Sequence, residues 1–142
     1  MRTPTEFSPY FLIQEALRNE PWKLLVACAC LNLTSARQVH GLINGLFDRW
    51  PTPESMAAAN RTELAEYIRP LGLAERRSKN LVSLSQAFIR GGWNDPEELP
   101  GVGKYAGDSY RMFVGGNIVD DVQDEKLKKY IEWARKRAGE DT

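Results

Sequence analysis

The segment Leu99-Pro100-Gly101-Val102-Gly103-Lys104-Tyr105-Ala106-Gly107-Asp108 constrains this chain more than any other. Pro-Gly-x-Gly ahead of a helix-forming run reads as a hairpin between two helices. Its glycines let backbone N–H groups approach an anion, and the N-terminus of a helix follows at once. A bare Pro-Gly-x-Gly is equally a tight interhelical turn. Leu99 in front and the helix opening at Lys104 favour a phosphate as the anion, with Lys104 adding charge beside it. A little over twenty residues past the start of the hairpin comes Asp124-Glu125-Lys126-Leu127, which sets a carboxylate at the head of another helix.

The rest of the chain has helical spacing throughout. Residues 10–18 form a short amphipathic stretch. Pro21 suits a first helical position, and residues 22–31 are apolar enough for a buried central helix. Residues 35–49 repeat Val39, Leu42, Ile43 and Leu46, until Trp50-Pro51-Thr52-Pro53 breaks the period. Short helices are predicted over 53–59 and 62–68, with Asn60 as a cap, then a turn at Leu71-Gly72-Leu73. A long helix over 74–90 stops at Gly91-Gly92. The hairpin module occupies 93–114, with its second helix over 104–114 and Gly115-Gly116 as the stop. Residues 117–123 form a loop, and the last helix, 124–138, closes at Gly139. No segment alternates as a strand does, so the predicted class is all-α, in one domain over 1–142.

Composition narrows the function. The 142 residues carry nineteen basic and nineteen acidic side chains, for a net charge of zero. A generally basic nucleic-acid coat is excluded, and affinity for a polyanion must come from a local face and from backbone donors. Cys28 and Cys30, two apart on a helix, point different ways and suit neither a disulfide nor a four-cysteine iron–sulfur cluster. They read as small core residues of a reducing compartment. The longest apolar run, 24–31, is too short to span a bilayer, and no signal-peptide pattern precedes it, so an intracellular location is expected.

Several side chains have two readings. Asp124 is a good helix N-cap, and the helix dipole favours its charge. The same fixed anion stabilises positive charge developing on a sugar carbon and orients an attacking water. Asp120 and Asp121 compete for that role. Tyr105 is either ordinary core or a stacking surface for an extruded base. Gln14, if buried, offers donor and acceptor to the Watson–Crick edge of a pyrimidine. Asn32, Thr34 and Ser35 form a polar cluster where a buried helix ends, suited to capping or to a pocket. Leu73, in its turn, is either core or a wedge for the gap left by a flipped base. Arg76, Arg77 and Lys79, like the basic residues after Asp124, belong to a solvated face or to phosphate contacts. His40 has no partner for a metal or a triad.

Taken together these residues resemble the helix-hairpin-helix DNA glycosylase superfamily. Within it they are most similar to its thymine/uracil mismatch branch, that of the glycosylase domain of methyl-CpG-binding domain protein 4. The resemblance is carried by Gln14-Glu15, 21–25, Leu31-Asn32 with Thr34-Ser35, 70–73, Gly103-Lys104-Tyr105, Asp108-Ser109-Tyr110-Arg111 with Phe113, and Asp124 with Lys126-Leu127 and Lys129-Tyr130. It implies a two-lobed helical fold with the active site in the interlobe cleft and Asp124 as the catalytic carboxylate. It implies a base pocket of Gln14, Asn32 and Tyr105. It further implies DNA contacts from Gly101, Gly103, Lys104, Leu73, Arg76 and Lys126. Leu99 and Val102 would offer hairpin carbonyls to a monovalent cation, and no chemical cofactor is required. Tyr105 stands where strand-cleaving relatives place a Schiff-base lysine, which implies hydrolysis alone.

The expected partner is duplex DNA bearing a mismatched or damaged pyrimidine, bound by a monomer. Uracil or thymine opposite guanine is the expected substrate. A modified pyrimidine such as 5-hydroxymethyluracil, or a non-catalytic lesion-binding module, remain alternatives. Leu33 stands where the mismatch branch carries an arginine, and the loop 115–123 differs from it.

Overall fold

The computed structural model describes residues 1–31 and 35–140. Eight α-helices follow in order: α1 (Ile13–Ala16), α2 (Pro21–Leu31), α3 (Ala36–Arg49), α4 (Pro53–Ala57), α5 (Arg61–Ile68), α6 (Ala74–Arg90), α7 (Lys104–Ser109) and α8 (Glu125–Glu140). Among the described residues there is no strand, and one antiparallel bridge pairs Arg2 with Asn117.

Most boundaries have a side-chain cause. Ser35, Thr52 and Asn60 cap α3, α4 and α5, accepting from the N–H groups of Gln38, Ser55 and Glu63. Pro21 opens α2, and Gly91, at φ +69, ends α6.

Helix α2 is the shared spine. Leu24, Leu25, Val26 and Ala27 are all fully buried, because this helix touches neighbours around its whole circumference. It packs against α3 and α6, which with α4 and α5 form one group, and against α1 and α7. Trp22 anchors the first group: its Nε1 donates to the Ser85 hydroxyl at 3.0 Å, and its ring meets Phe47 edge-on. Helix α8 joins the second group through Tyr130, whose ring centroid lies 4.9 Å from that of Phe113. Cys28 and Cys30 are buried free thiols.

Three expectations need correction. The amphipathic stretch 10–18 contracts to the four residues of α1, because Phe11 is left-handed at φ +46 and Leu12 is extended. Leu17 then ends the helix, and Glu20 precedes a proline, which disfavours helical backbone. The predicted helix 104–114 is α-helical only to Ser109, and residues Tyr110–Val114 form a π-turn closed by Gly115 N–H on the Tyr110 carbonyl at 2.9 Å. A Cβ on Gly115 would lie 2.5 Å from the Arg111 carbonyl oxygen, so glycine is required there. Finally, Gly139 does not close the last helix, which continues to Glu140.

Candidate active site

A cavity of about 850 Å³ lies where α1, the start of α3, α7 and the head of α8 converge. Gln14, Tyr105, Asp124 and Lys126 all line it, so four residues separated by up to 112 positions come to one place. Asn32 and its neighbours Leu33 and Thr34 lie outside the described residues. Leu31 and Ser35, on either side of them, both line the cavity.

Asp124 precedes α8, and its Oδ2 accepts the Leu127 N–H at 2.9 Å. The cap is therefore real, and it aims the carboxylate: one oxygen is tied to the helix while the half-buried side chain borders the cavity. The loop competitor Asp120 is turned away to Arg135, and Asp121 accepts from Gln123.

Gln14 is buried on α1. Its Nε2 donates to the Tyr105 hydroxyl at 2.7 Å and to the Ser109 hydroxyl at 3.3 Å. Its polarity in an apolar helix thus has a specific partner set, all on α7. Tyr105 accepts from Gln14, which leaves the phenolic proton for another acceptor. Burial pushes the Tyr105 phenol well above the ordinary tyrosine range, and the negative charges of Cys28 thiolate and Asp124 would add to that. The phenol is a hydrogen-bond donor at neutral pH, not a phenolate.

A smaller cavity of about 230 Å³ brings Leu73, Arg76 and Gly101 together. Leu73, immediately before α6, is left-handed at φ +51 and 58% exposed, so it is not a core residue. Arg76 is exposed. Arg77 is neither solvated nor turned to an outside phosphate: it is buried, and its guanidinium donates to the carbonyls of Ala29 and Cys30 at 3.1 and 2.8 Å. It holds the C-terminal end of α2, where a cation also suits the helix dipole.

The hairpin keeps its predicted shape. Gly101 takes φ +75, and Val102 N–H closes on the Leu99 carbonyl at 3.2 Å. That bond uses one lone pair of Leu99, leaving the other and the Val102 carbonyl as what the turn can offer a cation. Gly103 caps α7 with ordinary extended backbone, and a Cβ there would meet nothing within 4 Å. Lys104 is partly committed within the protein, 2.9 Å from the buried Asp108 carboxylate, which Arg111 also contacts.

Sequence reasoning gave no site role to Phe11 or His40 at the large cavity, and it grouped Lys129 with a basic run suited to a solvated face or to phosphate contacts. Phe11 lines the cavity and is 69% exposed, in a stretch expected to be helical. Lys129 and His40 also line it, the latter without a sequence partner to mark it. The pattern offered one signal for Phe11: two adjacent aromatics after Ser8-Pro9 break the helical period.

An all-helical fold thus brings a carboxylate, a buried amide and a phenol to one cavity, with the glycine hairpin leading into α7. The chain belongs to the HhH-GPD superfamily of base excision DNA repair proteins, whose model matches residues 26–142. A methyl-CpG-binding domain protein 4-like protein of Arabidopsis thaliana is 37% identical over 132 residues, covering 92% of this chain and 29% of that protein. A thymine-DNA glycosylase of Aeropyrum pernix is 40% identical over 93 residues, covering 61% of this chain and 42% of its own length. This chain therefore spans less than half the length of either. Among solved structures, a thermostable thymine-DNA glycosylase superposes with a TM-score of 0.65 at 25% identity, covering 72% of this chain and 51% of the other. A non-covalent endonuclease III–DNA complex gives 0.63 at 25% identity over 81% of this chain and 63% of the other. The all-α glycosylase fold expected from the sequence is borne out. No helix among the described residues is long and apolar enough to cross a membrane.

Proposed function

We propose that this chain hydrolyses the N-glycosidic bond of a uracil or thymine mismatched with guanine in duplex DNA. The observation that carries this reading is the convergence of Asp124, Tyr105 and Gln14 on one cavity, with Asp124 held by its own helix. The flipped deoxynucleotide would enter that cavity with its base toward Gln14 and Tyr105. As the C1′–N bond breaks, electrons go to the base and positive charge grows on the sugar. The Asp124 carboxylate stabilises that charge and takes a proton from the water that bonds to C1′. The Tyr105 phenol donates toward a pyrimidine carbonyl, where the leaving base gathers negative charge, and the Gln14 side-chain carbonyl, whose amide protons go to Tyr105 and Ser109, accepts from the pyrimidine N–H. The base anion then takes up a proton and Asp124 gives one back to solvent, so the products are an abasic site and the neutral free base.

The hairpin holds the backbone by its N–H groups. Gly103 supports this, because the fold itself demands neither a positive φ nor an absent side chain there. A monovalent cation on the carbonyls of Leu99 and Val102 would bring charge to the same phosphate. Leu73 fills the gap in the duplex, Arg76 lies beside it, and Lys126 offers charge at the cavity rim.

Tyr105 cannot form an imine, which supports excision without strand cleavage. Lys126 and Lys129 line the same cavity, so the point is open to direct test. Single-turnover reactions on end-labelled duplexes carrying G:U, G:T, A:U or G:5-hydroxymethyluracil, read with and without alkali, decide it. Alkali-dependent breaks at G:U and G:T are expected. Breaks without alkali, trapped by borohydride, would overturn the hydrolytic reading and point to a lysine. Release of only the modified base would change the substrate, and binding without release would leave a lesion-binding module.

A further inference from the structure

Among the described residues, three that are not glycine hold left-handed backbone: Phe11, Leu73 and Asp121. Such strain persists only where the surrounding structure over-determines it, and it collects at functional positions. Two of the three are also the most exposed large apolar side chains described, Phe11 at 69% and Leu73 at 58%. Each borders a cavity, Leu73 the smaller and Phe11 the larger. Leu73 already has a part in the proposed reaction, and Phe11 has none.

The fold goes to some length to place Phe11. Glu15 is buried at 1% exposure, and its carboxylate gathers three donors: Ser8 N–H at 2.6 Å, the Ser8 hydroxyl at 2.8 Å and Leu12 N–H at 2.7 Å. The Ser8 hydroxyl oxygen accepts Tyr10 N–H at 3.2 Å, and the Ser8 carbonyl accepts Phe11 N–H at 3.3 Å. One carboxylate thus pins residues 8–12 into a tight loop with Phe11 at its outer edge. The Phe7 ring stacks on Phe11 at 6.4 Å, and the Arg18 guanidinium sits 5.0 Å from the Phe7 ring. Lys126 and Lys129 line the same cavity. An aromatic face with ammonium groups around one opening is the chemistry that holds a single-stranded nucleotide, base on ring and phosphate on cation.

We propose that Phe11 packs against the extruded deoxynucleotide at the mouth of the large cavity. This deepens the glycosylase reading and rests on it. Leu73 would occupy the space the nucleotide leaves, and Phe11 would hold the nucleotide that has left.

The test uses the full chain and the duplex that the wild type processes best, with enzyme titrated under single turnover and thermal midpoints measured on the same preparations. Phe11→Gly is the informative variant, because glycine relieves the left-handed backbone while deleting the ring. Its half-saturating concentration should rise about tenfold, whereas that of Phe11→Trp should stay within about threefold of wild type. The thermal midpoint of Phe11→Gly should not fall. Wild-type half-saturation in Phe11→Gly would overturn the proposal. So would a fall in midpoint that accounts for the lost binding, since that marks a structural part. If the wild type excises no base, the glycosylase reading falls and this inference with it.

Discussion

The amide nitrogen of Gln14 lies 2.7 Å from the phenolic oxygen of Tyr105, 91 positions away in sequence. This bond ties the four-residue α1 to the first turn of α7 across the floor of the cavity. It orients both polar groups before any substrate arrives, so no reorganisation is needed as charge develops on a leaving base.

Tyr105→Phe removes the acceptor and leaves the buried Gln14 amide with Ser109 at 3.3 Å alone. The expected loss of stability is about 1–2 kcal/mol, read by urea denaturation. Excision should fall by more than that predicts for folding, because the donor to the base is lost as well. Full activity in this variant would remove Tyr105 from the reaction.

Asp124 joins a structural and a chemical task, and two substitutions separate them. Asn caps nearly as well as Asp, so Asp124→Asn should melt near the wild type and still bind DNA, yet excise at least about a hundredfold more slowly. Asp124→Ala should lose the cap too, at about 1 kcal/mol. Excision by Asp124→Asn at the wild-type rate would exclude the carboxylate from the mechanism.

How much of this was legible in the sequence depends on the range of the interaction involved. Boundaries set by a residue's own chemistry were readable: Asn60 as a cap, Pro21 as an opener, Gly91 as a stop, and the hairpin at Gly101. Boundaries set by distant partners were not. The contraction of α1 follows from the Glu15 carboxylate collecting the donors of residues 8–12, and nothing local announces it. Arg77 sits in a run that reads as a solvated face, but its guanidinium is drawn inward by the carbonyls at the C-terminal end of α2. Lys104 was read toward a phosphate, and a single turn away Asp108 already engages it. Gln14, Tyr105 and Asp124 were each recognisable as residue types. Their convergence needed the fold.

Cys28 and Cys30 make stability sensitive to alkali. Burial pushes both thiols up to about 12, against the opposing effect of the Ser109 hydroxyl on Cys28 and of the Arg77 charge on Cys30. The folded chain therefore holds these protons more tightly than the unfolded chain. A raised value gives stability that is complete below the ordinary thiol value and is lost as pH climbs through the folded one. Tyr105 and Tyr130, raised by burial, add losses above about pH 10. Urea midpoints should hold steady with respect to these groups from pH 7 to about 8.5, then decline through pH 11. In the same range the native thiols should resist an aromatic disulfide reagent at pH 8 and react once unfolded. Rapid native reaction would show that the thiols are reached by solvent.

Gly103 allows fold and DNA contact to be pulled in opposite directions. It is the N-cap of α7, its φ of −100° is open to any residue, and a Cβ there meets nothing within 4 Å. Asp is among the best N-caps, and its charge suits the positive end of the helix dipole. Gly103→Asp should therefore leave stability unchanged or raise it by a few tenths of a kcal/mol. The same carboxylate would stand where the hairpin is proposed to meet a phosphate, replacing an attraction by a repulsion. Duplex affinity should drop at least about tenfold, and its dependence on salt should become shallower as a phosphate contact is lost. Fluorescence anisotropy at several salt concentrations, beside a thermal melt, reads both effects. A stable Gly103→Asp protein that binds duplex DNA as the wild type does would place the backbone contact away from this hairpin.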